Sequence, residues 1–352
     1  MRKILAIDAG GTSTRAVILD MSGRCLAFGR AGSGNPTARG IDGAVDQLAA
    51  AAGLAAAADR SPTGHGSSAV IALAGAPSAE FAERLSERFA PLGFDGRVLL
   101  EPDLLGTYYS GTIAQEGSAL IAGTGAVAGR VSRGRLDFAR GGTGWLLGDA
   151  GAGFWIGRRI ARAVVAALDH LGPETALTDA VLDLFEIERG PGQSRGRSHV
   201  LVRLMDEIYG LQPVELARLA PLAFGVLDDP IAREILIAAA GELGTLLAAT
   251  RGDDARGPIV LGGGVLAAGM RLAPSIFAGP LEAASGGAEL IPVADGIVGA
   301  AVLGLRQAGV SVDGELFSRI HKSVTRLRPE HASPEHASPE HASPEHEEKD
   351  AP

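Results

Sequence analysis

Lys3-Ile-Leu-Ala-Ile-Asp-Ala-Gly-Gly-Thr-Ser-Thr-Arg15, near the start of the 352-residue chain, is the stretch on which the fold turns. Lys3 to Ile7 reads as a strand, Asp8 to Ser13 as a Gly-rich turn, and Thr14 to Leu19 as a second strand. The same pattern returns at Ser118, where Ala119 to Ala122 leads into Gly123-Thr124-Gly125 and Ala126 to Val131 resumes as strand. Arg135 to Phe138 then pairs after a turn. Two units of this kind predict two lobes derived from an old duplication.

Outward from the first unit, Arg24 to Gly29 reads as a third strand and Ala-rich Ile41 to Asp59 as a helix with one buried face. Ala69 to Ala74 is an apolar run ending at Gly75, as an interior parallel strand would be. Ser78 caps a helix to about Ala90, and Arg97 to Leu100 is another strand. Beyond Ala152 the chain reads as helical to Arg251, with a Gly/Arg-rich break at 189–198. Pro258 to Leu261 is a strand that ends in Gly262-Gly263-Gly264, with a helix from Val265. Ile291 to Val293, then a helix from about Gly296 to Gln307, close the folded part. From Pro329 the chain repeats Glu-His-Ala-Ser-Pro. Such a segment cannot form a core and is expected to be a disordered tail. Its histidines (His331, His336, His341, His346) then belong to a solvated appendage.

Seven acidic residues and one Lys in the tail account for −6 of the formal charge of −9, which leaves −3 on the rest. Nearly balanced charge argues against nucleic acid as a partner, because phosphate-backbone binding needs a basic patch. Cys25 is the single cysteine, which excludes an intramolecular disulfide or a cysteine metal cluster within one chain. The apolar stretch before Asp8 is too short for a leader, and no run of about 18 apolar residues exists. A cytoplasmic protein without a membrane partner is expected.

Three Gly clusters at strand ends point to a phosphate-binding α/β protein. A Walker A loop fails, since Lys3, Lys322 and Lys349 are the only lysines and none follows a Gly-rich loop. A dinucleotide fingerprint on Gly123, Gly125 and Gly129 lacks the helix start that would take a pyrophosphate. A third reading uses every cluster. Gly/Thr hairpin turns offer N–H and hydroxyl groups to phosphate oxygens without a lysine. Asp8 would hold water around a Mg²⁺ bridging the phosphates. Gly123-Thr124-Gly125 would close on them from the other lobe, and Gly262-Gly263-Gly264 leaves room for a flat ring or an α-phosphate.

Asp8-Ala-Gly-Gly-Thr-Ser-Thr-Arg15, Gly123-Thr-Gly-Ala126, Gly144-Trp-Leu-Leu-Gly-Asp-Ala-Gly151 and Gly262-Gly-Gly-Val265 resemble the motifs of the N-acetylglucosamine kinase family. The resemblance runs from about residue 3 to 308. That family belongs with the actin/hexokinase/Hsp70-like (ribonuclease H-like) ATPases, as do activators of 2-hydroxyacyl-CoA dehydratases. It implies an α/β fold of two lobes, each a mixed sheet flanked by helices. Residues 1–117 would carry the first phosphate loop and a sugar contact. Residues 118–293 would carry the second loop and the adenosine site. A terminal helix at 294–310 would pack back toward the first lobe, ahead of a tail at 311–352. The implied nucleotide contacts are Gly10, Gly11, Thr12, Ser13 and Thr14, then Gly123 and Thr124, then Gly262, Gly263 and Gly264. Asp103 matches the catalytic base, in place of a mere helix cap. The sugar would meet Asn35, Asp103, Thr124, Gly125, Gly144 and Asp149. For Asp149 the bland alternative is the cap of the helix holding Phe154 to Ile160; for Asn35 it is a turn before Pro36.

Departures exist. Ala150 and Ala152 stand where the family carries Glu and Ser, and Pro102 precedes Asp103. His65 and His170 read as structural, and Asp253-Asp254 as a solvated pair. The expected activity is ATP- and Mg²⁺-dependent phosphorylation of an amino sugar, N-acetylglucosamine first, by a homodimer. N-acetylmannosamine and glucosamine remain open as substrates. A dehydratase-activating ATPase would need cluster-binding cysteines in the second lobe. A sugar-responsive regulator would need a DNA-binding helix-turn-helix ahead of residue 3, and its relatives a Cys-rich zinc motif.

Overall fold

The structure is a computed structural model that describes residues 1–75, 78–194, 196–251 and 256–328. The first lobe follows the order β1 (Lys3–Ala9), β2 (Thr14–Asp20), β3 (Cys25–Ala31), α1 (Pro36–Ala58), β4 (Ser68–Leu73), α2 (Ala79–Phe89), β5 (Val98–Pro102) and α3 (Asp103–Gly111). The second contains β6 (Gly117–Ala122), β7 (Ala126–Ser132), β8 (Arg135–Gly141), α4 (Gly153–Leu168), α5 (Leu177–Leu184) and a short ribbon, β9 (Gln193–Ser194) with β10 (Arg197–Ser198). Then come α6 (His199–Gly210), α7 (Ala220–Gly225), α8 (Pro230–Arg251), β11 (Ile259–Gly262), α9 (Gly264–Leu272), α10 (Pro274–Ser285), β12 (Leu290–Pro292), α11 (Ile297–Gln307) and α12 (Gly314–Leu327).

Both five-stranded sheets have the same wiring. In the first, with strand order β3-β2-β1-β4-β5, a three-strand antiparallel meander is extended by two parallel strands. The second, β12-β11-β6-β7-β8, repeats it with β6-β7-β8 as meander and β11 and β12 as the parallel pair. Equivalent hairpins therefore place equivalent turns: Ala9 pairs with Thr14 around the first Gly loop, and Ala122 with Ala126 around the second. The duplicated turn seen in the sequence is a duplicated topology.

Every residue of β1 is buried, because strands flank it on both sides and helices cover both faces. One face meets α1, through Leu5 and Ile7 against Val45 and Leu48. The other meets α11, in a core that joins the two sheets: Ile4 and Val70 from the first, Ala119 and Val260 from the second, with Tyr108 of α3 and Val302 of α11 between them. Each such Ile, Leu or Val contributes roughly 1.5–3 kcal/mol by leaving water. Helices α3 and α11 thus form the shared wall between the lobes.

Ser78 caps α2 as expected, its Oγ accepting from the Phe81 N–H at 3.3 Å. The terminal helix is a correction. Residues 311–352 read as tail, yet α12 is folded, with Ile320 and Val324 buried against the core and Asp313 capping it through the Leu316 N–H at 2.8 Å. Leu316, Ile320 and Val324 recur at four-residue spacing, which builds one apolar stripe. His65 pairs with Asp95 at the surface at 2.9 Å, and His170 sits just past α4 at φ 56°. Asp253-Asp254 and the repeat tail lie outside the described residues. Among the described residues no single helix is long and apolar enough to cross a membrane.

Candidate active site

The two Gly/Thr turns touch. Gly10 N–H bonds Ser13 O at 3.1 Å to close the first turn, and the Thr12 and Thr124 hydroxyls meet at 3.2 Å across the lobes. The second turn is braced from behind by α4: Gly153 N–H donates to Gly123 O at 2.7 Å, and Phe154 N–H to Thr124 O at 3.0 Å. A cleft of about 840 Å³ opens between the lobes here, and Gly11, Thr12, Gly123, Thr124 and Gly264 line it. Methyl groups added at Gly123 or Gly264 would point into open space. Gly263 is different: at φ 93° its Cβ would stand 2.4 Å from Ala122 O. Only glycine lets β11 turn into α9 directly against the second loop.

The far wall of the cleft was not read from the sequence. It comes from a 3₁₀ turn at Pro213–Leu219 and from α7, with Val214, Arg218, Pro221 and Phe224 facing α9. Nothing in that irregular stretch marks it as a ligand wall beyond a Gln212/Glu215 capping box, in which Glu215 accepts from the Gln212 N–H at 2.8 Å. Arg39 of α1 also lines the cleft, from the first lobe.

Asp8 ends up at the base of the first turn, within β1. Its Oδ2 accepts from the Gly296 N–H at 3.1 Å, ahead of α11, and lies 3.5 Å from Arg15 Nη1. Burial pushes its carboxyl up to about 7, and the nearby Asp295 carboxylate adds to this. Arg15 and the Gly296 N–H pull the other way. A buried carboxylate this poorly compensated is the group that a cation would stabilise. One carboxylate beside Gly/Thr loops of phosphate-binding type has the chemistry to hold Mg²⁺, which takes most of its ligands from water and phosphate.

Asp103 stands where β5 gives way to α3. It occupies the first helical position, with Pro102 at the cap, and its Oδ1 accepts from the adjacent Leu104 N–H at 2.9 Å. It is therefore not the N-cap residue. Burial raises its carboxyl to about 6, opposed by the Leu104 N–H and its own N–H. Asp149 is also no cap: α4 begins after Ala152 without a side-chain cap. Its Oδ1 instead accepts from the Ala126 N–H at 3.1 Å, which holds its carboxylate against the second loop. Burial raises this carboxyl too, and the Ala126 N–H opposes the rise. The backbone at Asp149 is left-handed, φ 59°, a conformation Asp tolerates better than most residues.

Asn35 precedes α1, its N–H donating to Ser33 Oγ at 3.4 Å while its carbonyl accepts from the Arg39 N–H at 3.1 Å. Ser33 Oγ lies 3.4 Å from Gly10 O, so the Asn35 turn is tied to the first loop. Asn35, Asp103, Gly144 and Asp149 are not among the residues that line the 840 Å³ cleft. Of the expected nucleotide contacts, Gly11, Thr12, Gly123, Thr124 and Gly264 line the cleft, whereas Gly10, Ser13, Thr14, Gly262 and Gly263 do not; of the expected sugar contacts, Thr124 alone lines it.

Relatives fall in one group. The chain is 30% identical over 191 residues to glucosamine kinase GspK of Vibrio cholerae serotype O1, an alignment spanning 53% of this chain and 62% of that protein. It is 33% identical over 133 residues to N-acetyl-D-glucosamine kinase of Dictyostelium discoideum, spanning 37% and 39%. The match thus covers less than two thirds of either relative. A crystal structure from Chromobacterium violaceum, assigned as an N-acetylglucosamine kinase, superposes with a TM-score of 0.67 at 26% identity, covering 86% of this chain and 99% of that one. The fold is that of the actin/hexokinase-like sugar kinases. The sequence pattern of the BadF/BadG/BcrA/BcrD ATPase family matches residues 5–304. With its paired Gly/Thr turns closing one cleft, the chain belongs to the BadF/BadG/BcrA/BcrD ATPase family.

Proposed function

We propose that the protein transfers the γ-phosphoryl group of ATP to the 6-hydroxyl of an amino sugar, N-acetylglucosamine first. The observation that carries the reading is Asp103, a partly buried carboxylate with a raised pKa, at the strand end beside two touching phosphate-type loops. Relatives named as glucosamine and N-acetylglucosamine kinases support the substrate class. Glucosamine is the second candidate, favoured by the Vibrio relative.

In this mechanism the turns Gly10–Thr14 and Gly123–Thr124 direct N–H and hydroxyl groups at the phosphates, and Gly262–Gly264 with the α7 wall holds the nucleoside. Phosphoryl transfer is mostly positioning and charge stabilisation, so these donors carry much of the work. Asp8 would hold Mg²⁺ through water; the ion, when bound, neutralises charge on the β- and γ-phosphates. Asp103 accepts the hydroxyl proton as the sugar oxygen attacks. Asn35, Thr124, Gly125, Gly144 and Asp149 orient the sugar. Closure of the lobes excludes water, which would otherwise accept the phosphoryl group. The dimer belongs to the same proposal and rests on the family resemblance.

The test is a coupled ADP-release assay with Mg·ATP over a panel of hexoses and amino sugars. Turnover that depends on one amino sugar is expected. ADP release at the same rate without sugar would return the protein to an ATPase reading. Asp149→Asn keeps the left-handed backbone and one acceptor oxygen. It is expected to raise KM for the sugar about tenfold or more, as loss of a hydrogen bond to a charged group does, with KM for ATP unchanged. An equal rise in both constants would remove Asp149 from the sugar site.

A further inference from the structure

Behind Asp8 lies a second buried carboxylate. The Asp295 side chain is only 6% exposed, and both its oxygens are engaged. Its Oδ2 accepts from Arg15 Nε at 3.1 Å. Its Oδ1 accepts from Arg328 Nη2 at 2.7 Å and from the Ile297 N–H at 3.2 Å. Arg15 also points Nη1 toward Asp8 Oδ2, at 3.5 Å. One guanidinium therefore spans two carboxylates, and Arg328 supplies the second positive charge that balances them. Gly296, the residue after Asp295, gives Asp8 its backbone hydrogen bond at 3.1 Å. Asp295 and Asp8 are thus fastened to the same three-residue turn that opens α11.

Arg328 comes from the C-terminal end of α12. Elsewhere that helix grips the β2–β3 turn: Arg319 Nη1 donates to Ser22 O at 3.1 Å, and Ser323 Oγ accepts from the Cys25 N–H at 3.2 Å. Among the described residues of that helix, the Arg328 contact is the one that reaches the site.

We infer that Asp295, locked by Arg328, is a positioning residue that sets Arg15 and through it the Asp8 carboxylate, so that the C-terminal helix completes the phosphate site. The inference rests on the phosphoryl-transfer reading above. Without Arg328 the Asp295 carboxylate loses the contact that fixes it, and without the Asp295 charge Arg15 loses its 3.1 Å partner; in either case the long Arg15–Asp8 contact is no longer held in place. Asp8 can then turn, and it no longer presents its oxygens to a hydrated cation. The sugar contacts are untouched.

The experiment compares Arg328→Ala and Asp295→Asn with Arg319→Ala, which loosens α12 from the β2–β3 turn without touching the cluster. Calorimetry measures ADP affinity with and without Mg²⁺, alongside kcat and KM for each substrate. Both cluster variants are expected to lose about tenfold or more in kcat and in the Mg²⁺-dependent gain in ADP affinity, as removal of groups that orient a metal's ligands does. Their sugar KM and Mg²⁺-free ADP affinity stay at the wild-type value, and Arg328→Lys recovers part of the loss. Arg319→Ala lowers the melting temperature and keeps both readouts. Cluster variants that melt lower yet keep kcat and the Mg²⁺-dependent affinity overturn the inference and leave a structural tie. If Arg328→Ala does not fold, the near-isosteric Asp295→Asn decides. A wild-type protein that phosphorylates no sugar sinks the kinase reading, while the calorimetric arm still decides the role of Asp295.

Discussion

Asp103→Asn is expected to fold, to bind Mg·ATP as the wild type does, and to lose about 10²–10⁴-fold in kcat, the usual contribution of a positioned general base. Asn preserves the shape and the acceptor for the Leu104 N–H but cannot take a proton. The wild-type carboxyl sits at about 6 because burial disfavours its charge. Base catalysis needs the ionised form, so kcat/KM at saturating Mg²⁺ should fall tenfold per unit as pH drops below about 6, and level off above it. The same shift has a stability consequence of opposite sign. The unfolded carboxyl releases its proton near 3.8 and the folded one near 6, so between those values the folded state binds more protons and stability falls as pH rises. Above about pH 6 the whole penalty is present. Asp103→Asn escapes it, and should melt several degrees above wild type at pH 8, with the gain shrinking toward pH 4. A variant that is inactive but no more stable at pH 8 would mean that the buried charge is compensated by groups other than the two N–H donors. A variant with wild-type kcat would falsify the assignment of the base.

What the sequence disclosed was local chemistry of low sequence separation. The Gly10–Ser13 and Gly123–Gly125 turns announce themselves because a β-rich run, a Gly/Thr turn and another β-rich run are contiguous, and their recurrence foretold the shared wiring of the two sheets. The resemblance singled out Asp103; the local pattern showed only that it stands where an apolar strand meets a helix. Three features were hidden. Asp295 meets Arg15 from the other end of the chain and is itself held by Arg328, and no spacing rule joins residues that far apart. The cleft wall at Pro213–Gly225 is a 3₁₀ turn and a short helix, without a period long enough to read. Helix α12 did carry its signal, an Asp313 cap and an apolar stripe. It was overshadowed by the Gly309 break before it and the repeat tail after it. The bland reading of Asp149 as a cap failed because α4 starts four residues after Asp149, with Ala152 at the cap, leaving the carboxylate to hold β7 instead.

Gly299→Ala and Gly241→Ala, the same substitution in two helices, are expected to shift stability in opposite directions. Gly241 lies on α8 with nothing within 4 Å of an added Cβ. Alanine there gains helix propensity and should stabilise by about 0.5–1 kcal/mol. Gly299 is buried in α11 where that helix crosses α3, and its added Cβ would stand 1.8 Å from Gly106 O and 2.8 Å from Ser110 N. Both obstacles are backbone, so no side chain can swing aside. Helix α3 cannot retreat either, since Gly106 already leaves no room for a methyl against Ala72 on β4, where a Cβ would come to 2.6 Å. The cost should reach or exceed the upper end of the about 1–3 kcal/mol that overpacking takes. The substitution also strains a hydrogen-bonded relay, in which the Gly299 N–H donates to Ser110 Oγ at 2.8 Å and Ser110 Oγ donates to Gly106 O at 2.9 Å. Urea unfolding at unchanged slope reads the two shifts as midpoints. Equal midpoints for the two variants would mean that α11 slides on α3 without resistance. The geometry argues otherwise, and it ties stability to the proposed site: α3 begins at Asp103, α11 begins beside the Gly296 N–H that holds Asp8, and Gly299 lets the two helices approach closely.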